Sequence, residues 1–507
     1  MSSRGFRELN ACVKDTRRVE HLFAFCYPST YRAGMTGLAT HLFYSLLNGR
    51  DDTSCERYFR FDVPAPDRSV ETGRPLRDNH IVGFSLSYEE DILNLVQMLT
   101  LGGVTVEAKS RGEDEPIVLV GGPVVTANPE PYVDFVDAFA IGESEDVIHK
   151  IVDAVKESPS RAEALSRLGS LEGVYVPSQN PGTVRRLVID DLDSAFHPTS
   201  QILPDVPKGD VHEPVFGRSL LVEVTRGCGH SCKFCLVGHV CRPRRTRTLE
   251  CLQHIVEKGI IETPVKKVSL IGSSLGDMDQ LTDFAIWLVE KGLELSVSSL
   301  RADAVTEDLL SAIIAGGQRT LTIAPETGSE ELRRRMGKGL SDDDISHAVQ
   351  TAWQAGFRQL KLYFIIGLPG ETDADVVAIA NMIKRFSTQT RARITASINA
   401  FVPKAGTQLE REPQAPIEVL RDKIRLIEGG LKNVPRVEIE VLDPRLARIQ
   451  AALSIGNRGI GPVIKAAAGY GGLGGWRRAE RETGIPFHET ANDESRRSAE
   501  LPWSFLK

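Results

Sequence analysis

The sequence predicts an α/β protein: a doubly wound parallel sheet, then a partial (β/α)6 barrel, then a small α/β cap. Three observations predict it. Between residues 18 and 160, apolar β-rich runs end in glycine turns and give way to helical spacing. Between 217 and 405 the same alternation repeats about six times. A turn-rich stretch separates the two. Strand, glycine turn and helix in repetition is the pattern of parallel sheets, which bind ligands at the carboxyl ends of their strands.

At 507 residues the chain exceeds one ordinary core. The expected divisions are 1–160, a linker 161–216, the barrel 217–410 and a cap 411–507. In the first part, 21–26 reads as a buried strand, 27–34 as a loop and 38–47 as a helix. Residues 81–86 form a strand and 91–99 an amphipathic helix. The strand at 117–120 ends in Gly121-Gly122-Pro123, and that at 139–141 ends in Gly142-Glu143. The linker carries a short helix at 162–168 and turns at Asn180-Pro181-Gly182 and 204–214. Barrel strands are expected at 219–224, 267–271, 294–298, 319–323, 359–366 and 393–400, with helices between them. In the cap, a helix at 417–431, a strand at 437–441 and a helix at 444–454 lead to the glycine run 469–475, read as a flexible turn.

Composition is that of an ordinary globular protein, 41% hydrophobic and 25% charged, with net charge −7. That balance offers no overall attraction to nucleic acid or an anionic membrane. Neither a spanning apolar stretch nor a secretory leader is read, so a cytoplasmic protein is expected. Eight cysteines, three of them clustered, point to a metal site in a reducing compartment.

The cluster is Cys228-Gly229-His230-Ser231-Cys232-Lys233-Phe234-Cys235. Three thiolates at C-x-x-x-C-x-x-C spacing can hold three corners of a cubane iron–sulfur cluster and leave the fourth iron open. A structural zinc site usually completes four ligands. Cys241 and Cys251 are set aside as ligands because they would fill that open position. Each of the next four strands ends in a polar turn. These are Ile271-Gly272-Ser273-Ser274, Ser298-Ser299-Leu300-Arg301, Ala324-Pro325-Glu326-Thr327 and Ile366-Gly367-Leu368-Pro369. An arginine fork there suits a carboxylate, and serine hydroxyls or a glutamate can accept ammonium protons. The basic run 242–247 suits a carboxylate, a cofactor side chain or an acidic substrate, and reads equally well as a solvated loop. Lys361, Arg334 and Arg335 read as solvated surface charges.

Residues 217–405 resemble the radical S-adenosylmethionine (SAM) enzymes. The resemblance implies a partial TIM barrel holding a [4Fe-4S] cluster on Cys228, Cys232 and Cys235. The open iron there chelates SAM, and one electron cleaves it to methionine and a 5′-deoxyadenosyl radical. It further implies SAM contacts at Phe234, Gly272, Ser273, Ser274, Ser299, Arg301, Glu326, Ile366, Gly367 and Leu368. The Gly272 turn departs from the family's G-G-E form.

The first segment resembles the Rossmann-like cobalamin-binding domain found ahead of many such barrels. That likeness implies cobalamin contacts at Tyr27, Pro28, Ser29, Tyr31, Arg32, Gly34, Met35, Ser85, Leu86, Ser87, Tyr88, Glu89, Gly121, Gly122, Pro123, Gly142 and Glu143. The D-x-H-x-x-G signature is missing, so a lower histidine ligand to cobalt is not expected, and Tyr88, water or nothing would stand there.

The implied activity is that of a cobalamin-dependent radical SAM C-methyltransferase, which moves a methyl group from SAM through methylcobalamin to an unactivated carbon. A methylthiotransferase is an alternative, but it needs a second cluster, and Cys12, Cys26 and Cys55 lack that family's wide spacing. A radical SAM enzyme with a vestigial first domain, doing ring formation, cleavage or tRNA modification, is another, and a non-enzymatic sensor a third. The whole-chain pattern resembles proteins of anaerobic archaea, which suggests a protein or peptide substrate such as a glutamine of methyl-coenzyme M reductase. The implied partners are that substrate and an electron donor such as ferredoxin or flavodoxin, with no membrane and no nucleic acid.

Overall fold

The computed structural model describes residues 6–60, 68–179 and 182–507. Asn180 and Pro181 of the expected linker turn lie outside them.

The first sheet has six strands in the spatial order Thr53–Phe59, His21–Tyr27, Ile81–Ser85, Ile117–Gly121, Ala138–Ala140 and Val174–Tyr175. The first five run parallel and the last is antiparallel. The chain order reverses between His21–Tyr27 and Ile81–Ser85, and a crevice opens at such a switch point. Side-chain alternation sends Cys26, Phe84 and Val120 to one apolar layer and Phe23, Phe25 and Leu119 to the other.

Three expectations change here. Strand Thr53–Phe59 was not foreseen, because Glu56 and Arg57 interrupt its apolar pattern. Both are buried and paired, Arg57 with Glu8 and Glu71, and Glu56 with Arg74, which is what burying a charge requires. The expected loop 27–34 turns helical at Tyr31, where Thr30 caps the helix Tyr31–Thr36. Residues assigned to the linker complete the first unit, since helix Arg161–Gly169 covers the sheet and Val174–Tyr175 extends it.

The barrel carries its six strands in the expected order. Leu220–Glu223, Lys267–Ile271 and Glu294–Val297 are parallel, as are Thr320–Glu326, Gln359–Ile366 and Arg393–Ala400. A bridge between Leu300 and Ile323 joins the two groups. Val437–Val441 adds a seventh parallel strand beside Arg393–Ala400. The chain then crosses to the first unit, where Ile449, Val463, Ile464 and Trp476 join the apolar layer of Cys26 and Phe84. The glycine run is not a flexible turn. Helix Gly461–Tyr470 ends and helix Gly472–Thr483 begins there, and only Gly471 and Gly472, both at positive φ, make the corner. Among the described residues no helix is long and apolar enough to cross a membrane.

Candidate active site

The cysteine loop leaves the first barrel strand through a narrow neck. Thr225 and Arg226 pair antiparallel with Arg245 and Thr246. Gly227 has φ +77°, and a Cβ on it would stand 2.2 Å from the Cys241 carbonyl oxygen. Only glycine fits. Cys232 is buried, and Cys228 and Cys235 are half-buried. Burial pushes the Cys232 thiol up to about 11, against the pull of Lys338. Burial also raises Cys235, while the amides of Val237 and Gly238 donate to its sulfur. Three neighbouring thiols with amide and ammonium support are a donor set fit for a thiolate-bound cluster, whose binding releases the protons.

The remaining loops gather around this one. His230 Nε2 lies 2.9 Å from Asp277 Oδ2, and Ser274 donates to the same carboxylate. Burial opposes ionisation of Asp277, but those two hydrogen bonds outweigh it and hold its pKa low. The Ser274 hydroxyl is therefore engaged within the protein, whereas Gly272 and Ser273 face the cavity described below. Arg301 holds Asp303 in its fork at 3.0 and 2.8 Å, and Ser299 is exposed. Glu326 ends its strand at φ +70°, uncommon for a residue with a side chain. Its carboxylate accepts from Lys338 Nζ at 2.9 Å.

Strand alternation sends Ile365 and Ile366 to opposite faces. Ile366 packs with Leu360, Leu362 and Phe364 in the core beneath the helices. Its neighbour Ile365 points to the other face and joins Phe234, Met336 and Leu368 in a small apolar cluster. Gly367, at φ +76°, donates its amide to Glu371 at 2.6 Å.

A cavity of about 650 Å³ opens between the first sheet and the barrel, within the usual range for cofactor sites. Its mouth brings Ser85, Ser87, Gly121, Gly122, Pro123, Gly142 and Glu143 from the sheet's carboxyl edge against Thr225, Arg226, Cys241, Gly272 and Ser273 of the barrel. On one face of the sheet it has an apolar slot, lined by Phe23, Phe25, Leu42, Phe43 and Ile148. Among the described residues the Thr225 hydroxyl at its wall is buried without a hydrogen-bond partner. An apolar slot with a polar rim and an orphaned hydroxyl fits a large cofactor with an amide-bearing ring and an aromatic tail.

The rest of the expected cobalamin set lies outside this wall. Tyr31 donates to Glu8, the Met35 sulfur sits 3.3 Å from Arg57, and Gly34 packs against the Phe59 ring. The helix at Tyr31 turns this motif into the core. Tyr27, Pro28, Ser29 and Arg32 precede or begin that helix, and the Pro28 carbonyl accepts from Asn94. Leu86 is buried in the apolar layer, Tyr88 is partly exposed, and Glu89 pairs with Lys404 and Gln450. Glu143 is shared between two roles. It lines the cavity, yet its carboxylate takes Arg245 in a fork at 2.7 and 2.8 Å and so ties the sheet to the barrel.

Residues missed from sequence are Lys338, His230, Asp277 and Thr225. Lys338 carried a signal, since it stands between Gly337 and Gly339, both at positive φ. A Cβ on Gly337 would meet the Ser231 carbonyl at 2.5 Å, which seats Lys338 beside the cysteine loop.

Known proteins carry the same architecture. Residues 222–383 match the family model described as the radical SAM superfamily, and 39–177 match that of radical SAM proteins, N-terminal. The uncharacterized protein MJ0966 of Methanocaldococcus jannaschii is 32% identical over 425 residues, 82% of this chain and 85% of that protein. This chain belongs to the radical SAM superfamily. Its cofactors are accordingly SAM and a [4Fe-4S] cluster, for which Cys228, Cys232 and Cys235 are the fitting donors. The uncharacterized methyltransferase PH0819 of Pyrococcus horikoshii is 27% identical, over 58% of this chain and 62% of that one. The putative methylthiotransferase MJ0865 of M. jannaschii is 26% identical, over 49% of this chain and 53% of that one. The radical SAM methyltransferase TsrM of Kitasatospora setae, solved with cobalamin and a [4Fe-4S] cluster, shares the fold. Its TM-score is 0.56 at 14% identity, covering 93% of this chain and 99% of that one.

Proposed function

We propose that this radical SAM protein is a cobalamin-dependent methyltransferase acting on an unactivated carbon. The observation that carries the proposal is the cavity. It joins the carboxyl edge of the first sheet to the Gly272–Ser273 turn and the neck of the cysteine loop in one continuous space. The occurrence of cobalamin in TsrM, a protein of this fold, supports a corrin there. When bound, the cluster with SAM supplies a hydrogen-abstracting radical and the corrin supplies a methyl group.

The chain's own residues place and shield these groups. Gly121, Gly122 and Gly142 let backbone amides approach a corrin, and Thr225, Ser85 and Ser87 offer hydrogen bonds to its amide arms. The apolar slot would hold the cofactor's aromatic tail. Lys338 and Glu326 stand beside Cys232 to hold the carboxylate and ammonium of SAM. The apolar wall of the cavity keeps solvent from the bound groups. The substrate we assign is a protein or peptide side chain, and a glutamine of methyl-coenzyme M reductase is the first to test.

A methylthiotransferase reading draws on the likeness to MJ0865. Cys26 and Cys55 weigh against it. They are buried in neighbouring strands but packed in different apolar layers, on opposite faces of the first sheet. They cannot share a second cluster without unfolding it.

The test is the absorption spectrum of protein purified anaerobically from cobalamin-supplied cells and washed of free corrin. A retained corrin, one per chain, together with methyl transfer from labelled SAM to a substrate peptide supports the proposal. Cluster absorption without corrin overturns it.

A further inference from the structure

Three consecutive carboxyls, Glu89, Glu90 and Asp91, follow the strand Ile81–Ser85 and open the helix Asp91–Leu101. They stand where the strand order of the first sheet reverses. Ser87, two residues earlier, lines the cavity. From the barrel side Lys404 donates to Glu89, and Gln450 donates to the other oxygen of that carboxylate at 2.9 Å. A Cβ on Gly406 would stand 3.0 Å from Val240, another residue of the cavity wall. The carboxyls therefore border the cavity on the side where the last barrel strand leaves.

Charge is not balanced there. Among the described residues the three carboxyls share one ion-pair partner, Lys404 on Glu89. Helix Asp91–Leu101 carries no Lys or Arg. On the facing helix Pro444–Ser454, Arg445 is held by Asp443, and Arg448 by Gln414 and Asn492. Arg60, further along, donates to Gln97. Carboxylates often open helices because they cap them. Asp344 does so, and hydrogen bonds from Ser341 hold it low. Glu90 makes no such cap, and burial, with Glu89 and Asp91 beside it, holds its carboxyl up at about 7. Burial and Glu89 do the same to Asp91. Two oxygens also lack partners. Among the described residues Glu90 Oε1 and the Tyr132 hydroxyl are buried with no hydrogen bond. Tyr132 is 1% exposed and shares the apolar layer of Ile449 and Leu453, from the helix that carries Gln450. Burial and then the Glu89 charge push its phenol up, which sets the hydroxyl toward that carboxylate. Buried polar atoms without partners call for a ligand or a water.

We infer that Glu90, Asp91 and the Tyr132 hydroxyl form a subsite that seats an ammonium or guanidinium group of the substrate. Such groups only donate hydrogen bonds and carry positive charge, so one of them answers both the orphaned oxygens and the missing charge. A water would satisfy the oxygens but not the charge. Among the described residues no three His, Cys, Asp or Glu side chains converge to hold a metal ion, so an organic cation fits better than an inorganic one. The inference rests on the proposed function in placing the reacting substrate in the adjoining cavity.

Titration calorimetry on the intact protein tests this with butylguanidinium and its neutral isostere butylurea. The wild type is expected to bind butylguanidinium about tenfold more tightly than butylurea. Glu90→Gln should weaken butylguanidinium binding about three- to tenfold and leave butylurea binding as it is. Lys404→Met removes the competing ammonium and should tighten butylguanidinium binding about threefold, a gain that loss of folding cannot produce. At about pH 6 binding should release protons, because the bound cation favours the ionised carboxyls, and two buffers of different ionisation heat read that release. Equal binding of the two probes, or a butylguanidinium affinity unchanged in both variants, overturns the inference. The titrations are run on protein from cobalamin-supplied cells, whose corrin content is read alongside. Absence of corrin with the expected probe preference would sink the methyltransferase reading and keep the cation subsite. Retained corrin with no probe preference would sink the subsite alone.

Discussion

Replacing Glu143 by Gln tests whether this residue fastens the first sheet to the barrel. Its carboxylate accepts two bonds from Arg245, one from the Ile189 amide at 2.8 Å, and lies 3.3 Å from Arg226. All these partners are donors. A carboxamide turns one of the two oxygens into a donor, which then faces the Arg245 fork, and it removes the charge that neutralises that guanidinium. Arg226 keeps Glu145 at 2.7 Å and Glu223 at 2.9 Å. Among the described residues Arg245 keeps carbonyls alone, those of Pro243, Ile189 and Cys241. Breaking a buried pair by removing one charge costs about 3–5 kcal/mol. Because the shape and one hydrogen bond survive, the expected loss is near the lower bound, about 3 kcal/mol. Urea unfolding of the corrin-free protein measures it, with limited proteolysis of the 182–190 segment reporting whether the two units separate first. A loss below about 1 kcal/mol, with unchanged proteolysis, would refute the reasoning. Glu143 would then be free to serve a ligand in the cavity.

Three further outcomes are expected. Exchanging Cys228, Cys232 or Cys235 for Ala should abolish cluster assembly and SAM cleavage while costing less than about 2 kcal/mol of stability, read by iron content and urea unfolding. Lys338→Met strips Glu326 of its partner inside the site. It should raise the KM for SAM and cost about 3 kcal/mol, and a normal KM would remove Lys338 from SAM binding. Burial, with Glu89 beside them, raises both Glu90 and Asp91 to about 7. Because the folded protein holds these protons more tightly than the unfolded chain, stability should fall as pH rises from about 4 to about 7. Glu90→Gln should flatten that slope, and thermal midpoints across the range measure it.

The parallel α/β order was legible because a strand and its following helix are specified by neighbouring residues. Gln359–Ile366 and Arg393–Ala400 appear with the bounds their alternation indicates. Thr53–Phe59 was hidden because its buried charges are matched by residues far along the chain. Arg57 reaches Glu8 across 49 positions. The same difficulty concealed the crossing of the C-terminal helices, where Gln450 meets Glu89 across 361 positions.

The sequence by itself determined the chemistry of the cysteine loop. Three thiols and their glycines lie within one short segment, so local spacing fixes the donor set. The glycine turns at the strand ends were determined in the same way. Only the tertiary structure decided which turns share a cavity. It turned Tyr31 and Met35 into the core and set Ile365, not Ile366, against Phe234. It also made Glu143 a tie between the two units and set Lys338 beside Glu326. These outcomes depend on which faces pack and which buried charges find partners, and those energies arise between segments that sequence spacing does not connect.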